Sequence, residues 1–162
     1  MLTTRQKITP FLWFNDDAEQ AIEHYCSVFK SSKVLSTSRY GEGSPFPKGT
    51  LMSATFELEG LRLMALNGGP HYRFSEAISL FVECDNQAEL DEIWGKLLQG
   101  GGTPTQCGWL KDRFGLSWQV IPAVLPKLLG DPDPARAGRA VQAMLSMVKL
   151  DIAALEKAAA GA

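Results

Sequence analysis

The same succession of predicted strands and helices occurs twice in this chain of 162 residues. In each half, a β-prone run is followed by an amphipathic helical run and then by three more β-prone runs. The first series is predicted at residues 8–14, 16–30, 33–40, 51–59 and 61–66, and the second at 77–85, 87–99, 103–107, 109–114 and 116–121. The repeat predicts an α+β domain over residues 1–122, built from two βαβββ modules at about 8–67 and 77–122.

Apolar periodicity indicates how each module is layered. Asp16 or Asp17 can N-cap the first helical run. In this run, apolar residues recur at helical spacing, at Ala18, Ala21, Ile22, Tyr25 and Phe29. The run 51–59 alternates instead, with Met52, Ala54, Phe56 and Leu58 expected on one face and the polar residues between them on the other. One helix covers one face of a sheet, so the other face stays free. We expect the two free faces to curve round a cup in a mostly antiparallel arrangement.

Two long loops interrupt the first module. Residues 41–50, GEGSPFPKGT, hold three glycines and two prolines and are long enough to form a flap over a site. Residues 67–75, NGGPHYRFS, form the second loop and a plausible linker between the halves. His71 and Arg73 lie there, where contact with an anionic ligand and simple solvation are the alternatives.

Residues 123–162 depart from the repeat and form a predicted helical tail. Asp131 begins a helix-start pattern of alternating Asp and Pro, and Asp151 can cap a last helix. Between them an apolar stripe runs through Ala137, Val141, Met144, Leu145 and Val148. This stripe needs a surface to cover it, either the domain's own helices or a second copy of the chain. We therefore predict a homodimer.

Composition excludes several classes of function. The net charge is −2 with dispersed charges, which argues against a nucleic-acid binder, and no apolar run approaches the ~20 residues of a membrane span. The N-terminal segment lacks an apolar signal-peptide core, which favours a cytoplasmic protein. Three cysteines without metal-type spacing are expected to be reduced thiols, and only two histidines are present. A metal site rich in His or Cys is therefore not expected.

The repeat and its motifs resemble the vicinal oxygen chelate superfamily, which includes glyoxalase I, extradiol dioxygenases, and fosfomycin and bleomycin resistance proteins. The chain looks most similar to the PhnB-like branch, which is often labelled demethylubiquinone methyltransferase-like. The residues that carry the resemblance are ITPFLWF at 8–14, AEQAIEHY at 18–25, LMALNGGP at 63–70, AISLFVECD at 77–85, CGWLKDRFGLSWQVIP at 107–122 and MLSMVKLDIAALEKA at 144–158.

The resemblance also implies where the superfamily keeps its metal ligands. Four residues after the turn glycine Gly115, where relatives carry Glu, this chain has Gln119. The corresponding positions on the fifth and first strands fall at Ser79 and, within one residue, at Thr9. Hydroxyls and an amide are poor ligands for a divalent transition metal. The resemblance therefore implies a site without metal or cofactor.

Strand alternation extends this set to a candidate small-molecule site. Its predicted ligand-binding residues lie on the cup side or at its margin: Thr9, Trp13, Asn67, Ser79, Phe81, Cys107, Trp109 and Gln119. Structural alternatives are open for most of them. The tryptophans can belong to the core, Gln119 and Ser79 can bond each other, and Cys107 has no evident activating base. Trp118 is out of phase with Gln119 and should pack under a helix. Asp112 and Arg113 lie near the turn of this hairpin and are expected to shape it as a pair.

The function predicted first is binding of a small organic molecule in the cup, without metal. A metal-dependent lyase, isomerase or dioxygenase with atypical ligands, such as Glu83 or Glu57 with His71, is the second hypothesis. A dimeric interaction protein whose tail is the working surface is the third. A methyltransferase is not favoured, because the chain has no glycine-rich turn that opens a helix after a strand.

Overall fold

The computed structural model describes residues 5–162 and divides into two compact units, Met1–Phe74 and Ser75–Ala162. Residues 1–4 lie outside the described part, and they begin the N-terminal segment in which no signal-peptide core is expected. The helical tail, predicted as a separate segment, clusters with the second unit.

The first unit is a four-stranded mixed sheet with one helix, in βαβββ order. Its elements are β1 (Phe11–Phe14), α1 (Ala18–Val28), β2 (Ser32–Arg39), β3 (Leu51–Leu58) and β4 (Leu61–Asn67). The spatial order is β1-β4-β3-β2, in which β1 runs parallel to β4 and the other pairs are antiparallel.

The second unit repeats this arrangement and adds three helices. Its elements are β5 (Ser79–Cys84), α2 (Gln87–Leu98), β6 (Thr103–Pro104), β7 (Trp109–Lys111), β8 (Ser117–Pro122), α3 (Leu125–Leu129), α4 (Pro134–Leu145) and α5 (Ile152–Ala160). The order β5-β8-β7-β6, with β5 parallel to β8, matches the first sheet strand for strand. The predicted pair of βαβββ modules is thus confirmed.

The predicted helix stripes form the cores. In the first unit, Ala21 and Tyr25 of α1 are fully buried, as are Phe56 and Leu63 of β3 and β4. In the second unit, Leu90 and Leu97 of α2 are buried, and α2 packs against β5 and β8. Each large apolar side chain buried in this way stabilises the fold by about 1.5–3 kcal/mol.

Two details of the first sheet differ from the prediction. Strand β1 begins at Phe11 rather than at residue 8, and Ile8 is 85% exposed. Pro10 explains the late start, because it has no N–H for a strand ladder. Met52 was expected on the same face as Ala54, Phe56 and Leu58, which are buried, but it is 39% exposed, and Leu51 is buried in its place. The pairing register slips by one residue here, which indicates a β-bulge that reverses the alternation.

Two details of the second unit also differ. The strands predicted at 103–107 and 109–114 shorten to β6 and β7, because turns occupy residues 105–108 and 112–115. Helix α3 was not predicted. It has only five residues, too few for an apolar period to be recognised.

The tail covers its apolar residues partly with its own unit, which was the first of the two predicted surfaces. Leu150 and Leu155 are fully buried. The Gln87 side chain of α2 donates to the Leu150 carbonyl at 3.1 Å and accepts from the Ile152 N–H at 2.9 Å. Lys149 forms an ion pair with Asp91 of α2 at 2.7 Å. The tail is therefore held to α2 by polar contacts as well as by burial.

Part of the predicted tail stripe remains uncovered. Leu145 is 53% exposed and Val148 is 46% exposed, whereas Ala140, which was not assigned to the stripe, is fully buried. None of the helices in residues 5–162 is long and apolar enough to cross a membrane.

Candidate functional site

Gln119 and Ser79 lie on neighbouring parallel strands and bond each other. The Gln119 Nε2 donates to the Ser79 Oγ at 2.9 Å, as one of the two predicted roles requires. In the ladder between β5 and β8, Phe81 pairs with Gln119, so their side chains share a face of the sheet. Phe81 is 56% exposed. The amide is therefore bonded to a hydroxyl and shares its face of the sheet with an exposed ring.

Trp109 approaches Gln119 from the other side. It pairs with Gln119 in the antiparallel ladder between β7 and β8, and it is half-buried. We call Ser79, Phe81, Trp109 and Gln119 the Gln119 patch. Four of the predicted ligand-binding residues are thus brought together on one face of one sheet.

Trp118, one residue before Gln119, points to the other side of the sheet. It is 2% exposed, and α2 packs against its strand, as predicted. Its Nε1 donates to the Asp112 Oδ2 at 2.9 Å. The buried Trp118 fixes the phase of β8 and thereby the side on which Gln119 stands.

Asp112 organises the turn that leads into β8. Its Oδ1 accepts the N–H groups of Phe114 at 2.9 Å and Leu116 at 3.1 Å, and the residue is 3% exposed. The sequence suggested a hairpin-shaping pair of Asp112 and Arg113. The guanidinium of Arg113 instead lies 4.7 Å from the centre of the Phe114 ring. The sequence signal that could have revealed this role is an Asp three residues before the turn glycine Gly115, with Trp118 three residues after it.

Cys107 lies outside the sheet ladders. Its backbone is left-handed, with φ 56°, and its N–H donates to the Met147 carbonyl of the tail at 2.9 Å. The neighbouring Gly108 N–H donates to the Val148 carbonyl at 2.8 Å. A Cβ at Gly108 would meet Ile121, Val120 and Leu150 at 2.9–3.2 Å, so this position requires glycine. The contacts of Cys107 described here are structural, and its role as a ligand contact stays a prediction.

Asn67 acts as a structural link in the first unit. Its Oδ1 accepts the Ala18 N–H at 2.9 Å, and its Nδ2 donates to the Leu51 carbonyl at 3.0 Å. Asn67 is 1% exposed. The helix N-cap that was predicted for Asp16 or Asp17 is therefore supplied from β4, and Asp17 makes no side-chain cap bond. Sequence offers no signal for a cap 49 residues away.

Trp13 packs against the loop that follows β4. Its Nε1 donates to the Gly69 carbonyl at 3.0 Å, and Tyr72 makes an edge contact at 5.0 Å between ring centres. A Cβ at Gly68 would lie closer than 3.0 Å to the indole, so glycine lets this loop rest on the ring. Thr9 precedes β1 and is half-buried. For these two residues the ligand-binding role stays a prediction.

Comparison with known proteins identifies the family. The family model described as 3-demethylubiquinone-9 3-methyltransferase matches residues 6–121. The chain belongs to this PhnB-like family. A PhnB protein from Bacillus cereus, described as a putative 3-demethylubiquinone-9 3-methyltransferase, is 38% identical with a TM-score of 0.68, over 73% of this chain and 100% of that one.

Two other solved structures share the fold of this PhnB-like chain. A protein from Pseudomonas aeruginosa is 24% identical with a TM-score of 0.61, over 73% of this chain and 98% of that one. The fosfomycin resistance protein FosX from Mesorhizobium loti is 14% identical with a TM-score of 0.51, over 73% and 90%. The expected relation to the resistance-protein fold is therefore confirmed. A search of curated proteins gave no match.

The family match ends before α3. Helices α3, α4 and α5 thus lie beyond the matched range of residues 6–121. The resemblance that we expected at 144–158 falls in this region and stays a prediction.

The side chains at the three expected ligand positions of this PhnB-like chain do not fit a divalent transition metal. Thr9, Ser79 and Gln119 offer only neutral oxygens and an amide nitrogen, and the Ser79 and Gln119 side chains are bonded to each other. Within residues 5–162, no three His, Cys, Asp or Glu side chains form a group that could hold a metal ion. Of the atypical ligands considered, Glu57 lies 3.9 Å from the Lys33 ammonium.

The three cysteines are free thiols, as expected, and burial weakens two of them as nucleophiles. Burial raises the pKa of Cys84 to about 12, with Glu89, Asp85 and Glu83 adding to the effect. Burial also raises the pKa of Cys26, partly offset by a hydrogen bond with Ser32. A thiol held protonated in this way does not attack a substrate at neutral pH.

Proposed function

We propose that this PhnB-family protein binds a small organic molecule at the Gln119 patch, without a metal ion. The observation that carries the proposal is the Gln119–Ser79 hydrogen bond beside an exposed aromatic ring. Small-molecule sites combine apolar and aromatic surface with a few fixed polar groups. The patch has both parts.

The Gln119–Ser79 bond orients the amide and leaves it able to bind more. An amide has two N–H donors and an acceptor oxygen, and within residues 5–162 this side chain makes one hydrogen bond. The carbonyl oxygen and the second N–H therefore remain for a ligand, and the Ser79 hydroxyl hydrogen remains as a donor. A planar ligand that stacks on Phe81 and has its own donor and acceptor suits this arrangement.

The methyltransferase activity in the family's description finds no support in the strand-to-helix turns. Phosphate-bearing and nucleotide-like cofactors need a glycine-rich turn, where the backbone can approach them closely. Here β1 leads into α1 through Asn15, Asp16 and Asp17, and β5 leads into α2 through Asp85 and Asn86. Neither turn contains a glycine.

Benzamide is a suitable first probe, because it combines a flat ring with an amide donor and acceptor. In an NMR titration of ¹⁵N-labelled protein, we expect the amide signals of Ser79, Phe81 and Gln119 to shift together. The substitution Gln119→Ala should weaken binding about five-fold or more, since one or two hydrogen bonds are lost. The matched control is Gln99→Ala, a change of the same type at an exposed residue just after α2.

Toluene separates hydrogen bonding from stacking. It should bind more weakly than benzamide and should not distinguish the wild-type protein from Gln119→Ala. If benzamide leaves the three patch signals unmoved, or if Gln119→Ala binds it as well as the wild type does, the patch is not the site.

Metal analysis tests the second functional hypothesis. We expect no stoichiometric zinc, nickel or manganese in the purified protein, before or after incubation with each metal. A metal bound at one ion per chain and lost in Gln119→Ala would favour metal-dependent chemistry with atypical ligands.

The homodimer and the cytoplasmic location also remain proposals. The exposed side chains of Leu145 and Val148 on the tail support a second copy as the partner. Light scattering should give twice the chain mass at micromolar concentration and the single mass for Leu145→Glu/Val148→Glu. A wild-type monomer would contradict the homodimer and, with it, the hypothesis of a dimeric interaction protein that works through its tail.

A further inference from the structure

The unit Met1–Phe74 contains a cavity that shares no residue with the Gln119 patch. Its volume is about 530 Å³, within the ~300–1,000 Å³ range of small-molecule sites. Two loops form it, the predicted flap at 41–50 and the turn at 68–71, together with the residues just before α1. The predicted ligand-binding residues include none from the flap, and the role of His71 was open between ligand contact and solvation.

Hydrogen bonds hold the flap in one conformation. The Tyr40 N–H donates to the Thr50 carbonyl at 2.9 Å, and the Gly49 N–H returns to the Tyr40 carbonyl at 2.9 Å. The Tyr40 ring stacks on Phe46 with 4.8 Å between ring centres. Arg39 bonds the Gly49 carbonyl at 3.0 Å and Glu19 of α1 at 2.6 Å. One wall is therefore preformed and tied to α1.

The opposite wall continues the first sheet. The Gly68 N–H donates to the Phe14 carbonyl at 2.9 Å, and the Gly69 N–H donates to the Asn15 carbonyl at 3.0 Å. Gly68 rests on the Trp13 ring, and the Trp13 Nε1 holds the Gly69 carbonyl. A preformed cavity loses less conformational entropy when a ligand binds.

The lining combines apolar rings with one acidic side chain. Pro45, Phe46, Pro47 and Pro70 supply rings, whereas Asp16 supplies a carboxylate and His71 an imidazole. In the described part of the chain, the side chains of Asp16 and His71 make neither a hydrogen bond nor an ion pair. The basic residues at the flap are already paired, Arg39 with Glu19 and Lys48 with Glu42. Asp16 is thus the acidic side chain that lines this cavity, and it has no ion-pair partner within residues 5–162.

We infer that this cavity binds a small organic cation, an ammonium carried on an aromatic or aliphatic body. The ammonium pairs with Asp16, and the body packs on Phe46 and the prolines. An aromatic ring with a negative face also attracts a cation. An anion, which was one alternative for this loop, would have to approach the Asp16 carboxylate.

Three phenyl compounds that differ only in charge test the inference: 2-phenylethylammonium, 2-phenylethanol and phenylacetate. In NMR titrations, the cation should shift the amide signals of Thr50, Gly69 and His71, and should bind about five-fold more tightly than the alcohol. Phenylacetate should bind more weakly than either. Asp16→Asn should reduce the affinity for the cation to that for the alcohol and leave the affinity for the alcohol unchanged.

Two further variants make the result specific. Glu42→Gln removes a carboxylate from the same flap that does not line the cavity, and it should leave binding of the cation unchanged. Phe46→Ala should weaken binding of the cation and of the alcohol alike. The inference is overturned if phenylacetate binds as well as the cation, if Asp16→Asn has no effect, or if a folded wild-type protein does not bind the cation at all. Gln119→Ala should bind the cation normally, so failure here and failure at the Gln119 patch are distinguishable.

Discussion

The indole of Trp118 donates a hydrogen bond to the carboxylate of Asp112 across the base of the last hairpin, at 2.9 Å. The same carboxylate accepts the backbone N–H groups of Phe114 and Leu116. One buried acidic side chain therefore joins the turn to the strand that carries Gln119.

Replacing Asp112 with Ala should destabilise the protein by about 3 kcal/mol, because three donors lose their acceptor in a buried place. Urea unfolding measures the loss. Arg113→Gln, one residue along and exposed, should cost less than about 1 kcal/mol. Equal losses for the two variants would show that the carboxylate is not the centre of the turn.

The Asn67 side chain should also make a large contribution to the free energy of unfolding. Asn67→Ala removes two buried hydrogen bonds, to Ala18 and Leu51, and should cost about 2 kcal/mol. Asn86→Ala is the matched control, since Asn86 caps α2 through a single exposed bond to the Glu89 N–H. Its cost should be about 1 kcal/mol. The ranking from thermal or urea unfolding would contradict our assignment if Asn86→Ala were the more damaging change.

The contact between Gly68 and Trp13 predicts a steric effect. Gly68→Ala places a methyl group against the indole and should destabilise the first unit by about 1–3 kcal/mol, with a change in tryptophan emission. Gly41→Ala meets no atom within 4 Å and should be close to neutral. Replacing Trp13 with Leu in the Gly68→Ala background should recover part of the loss. No recovery would mean that the strain arises elsewhere.

The Cys84 thiol should react much more slowly in the folded protein than in the unfolded protein. The pKa of Cys84 is raised to about 12 by burial and neighbouring carboxylates, from an ordinary value of 9.0. At pH 8 the thiolate fraction is then about a thousandfold lower in the folded protein. Iodoacetamide labelling followed by mass spectrometry should find Cys84 protected in the native protein and labelled in urea. Rapid native labelling of Cys84 would contradict its burial.

The order of the elements could be predicted from sequence because each helix and strand carries its own period. The bond between Gln119 and Ser79 was also within reach, since strand alternation placed both side chains on one face. The late start of β1 was harder to predict, although Pro10 stands in the sequence at this point. A proline shortens a strand only if the ladder needs its N–H at that position.

Other features depend on contacts between distant residues and leave no local pattern. The cap of α1 by Asn67 depends on where β4 ends in space, and the sequence of neither segment indicates this contact. The bulge at Met52 moves Leu51 into the core, while the alternation in the sequence continues without interruption. The cavity beside Asp16 exists because two loops of different parts of the chain meet.

The backbone bonds of Cys107 and Gly108 to Met147 and Val148 have a practical consequence for protein engineering. A boundary set after residue 121, where the family match stops, would leave two N–H groups beside β7 without acceptors and expose the side of α2 that holds Leu150. Sheet margins uncovered in this way recruit other chains. Expression vectors, crystallisation trials and fusion designs should therefore keep the last forty residues with the second sheet, although the family match does not extend to them.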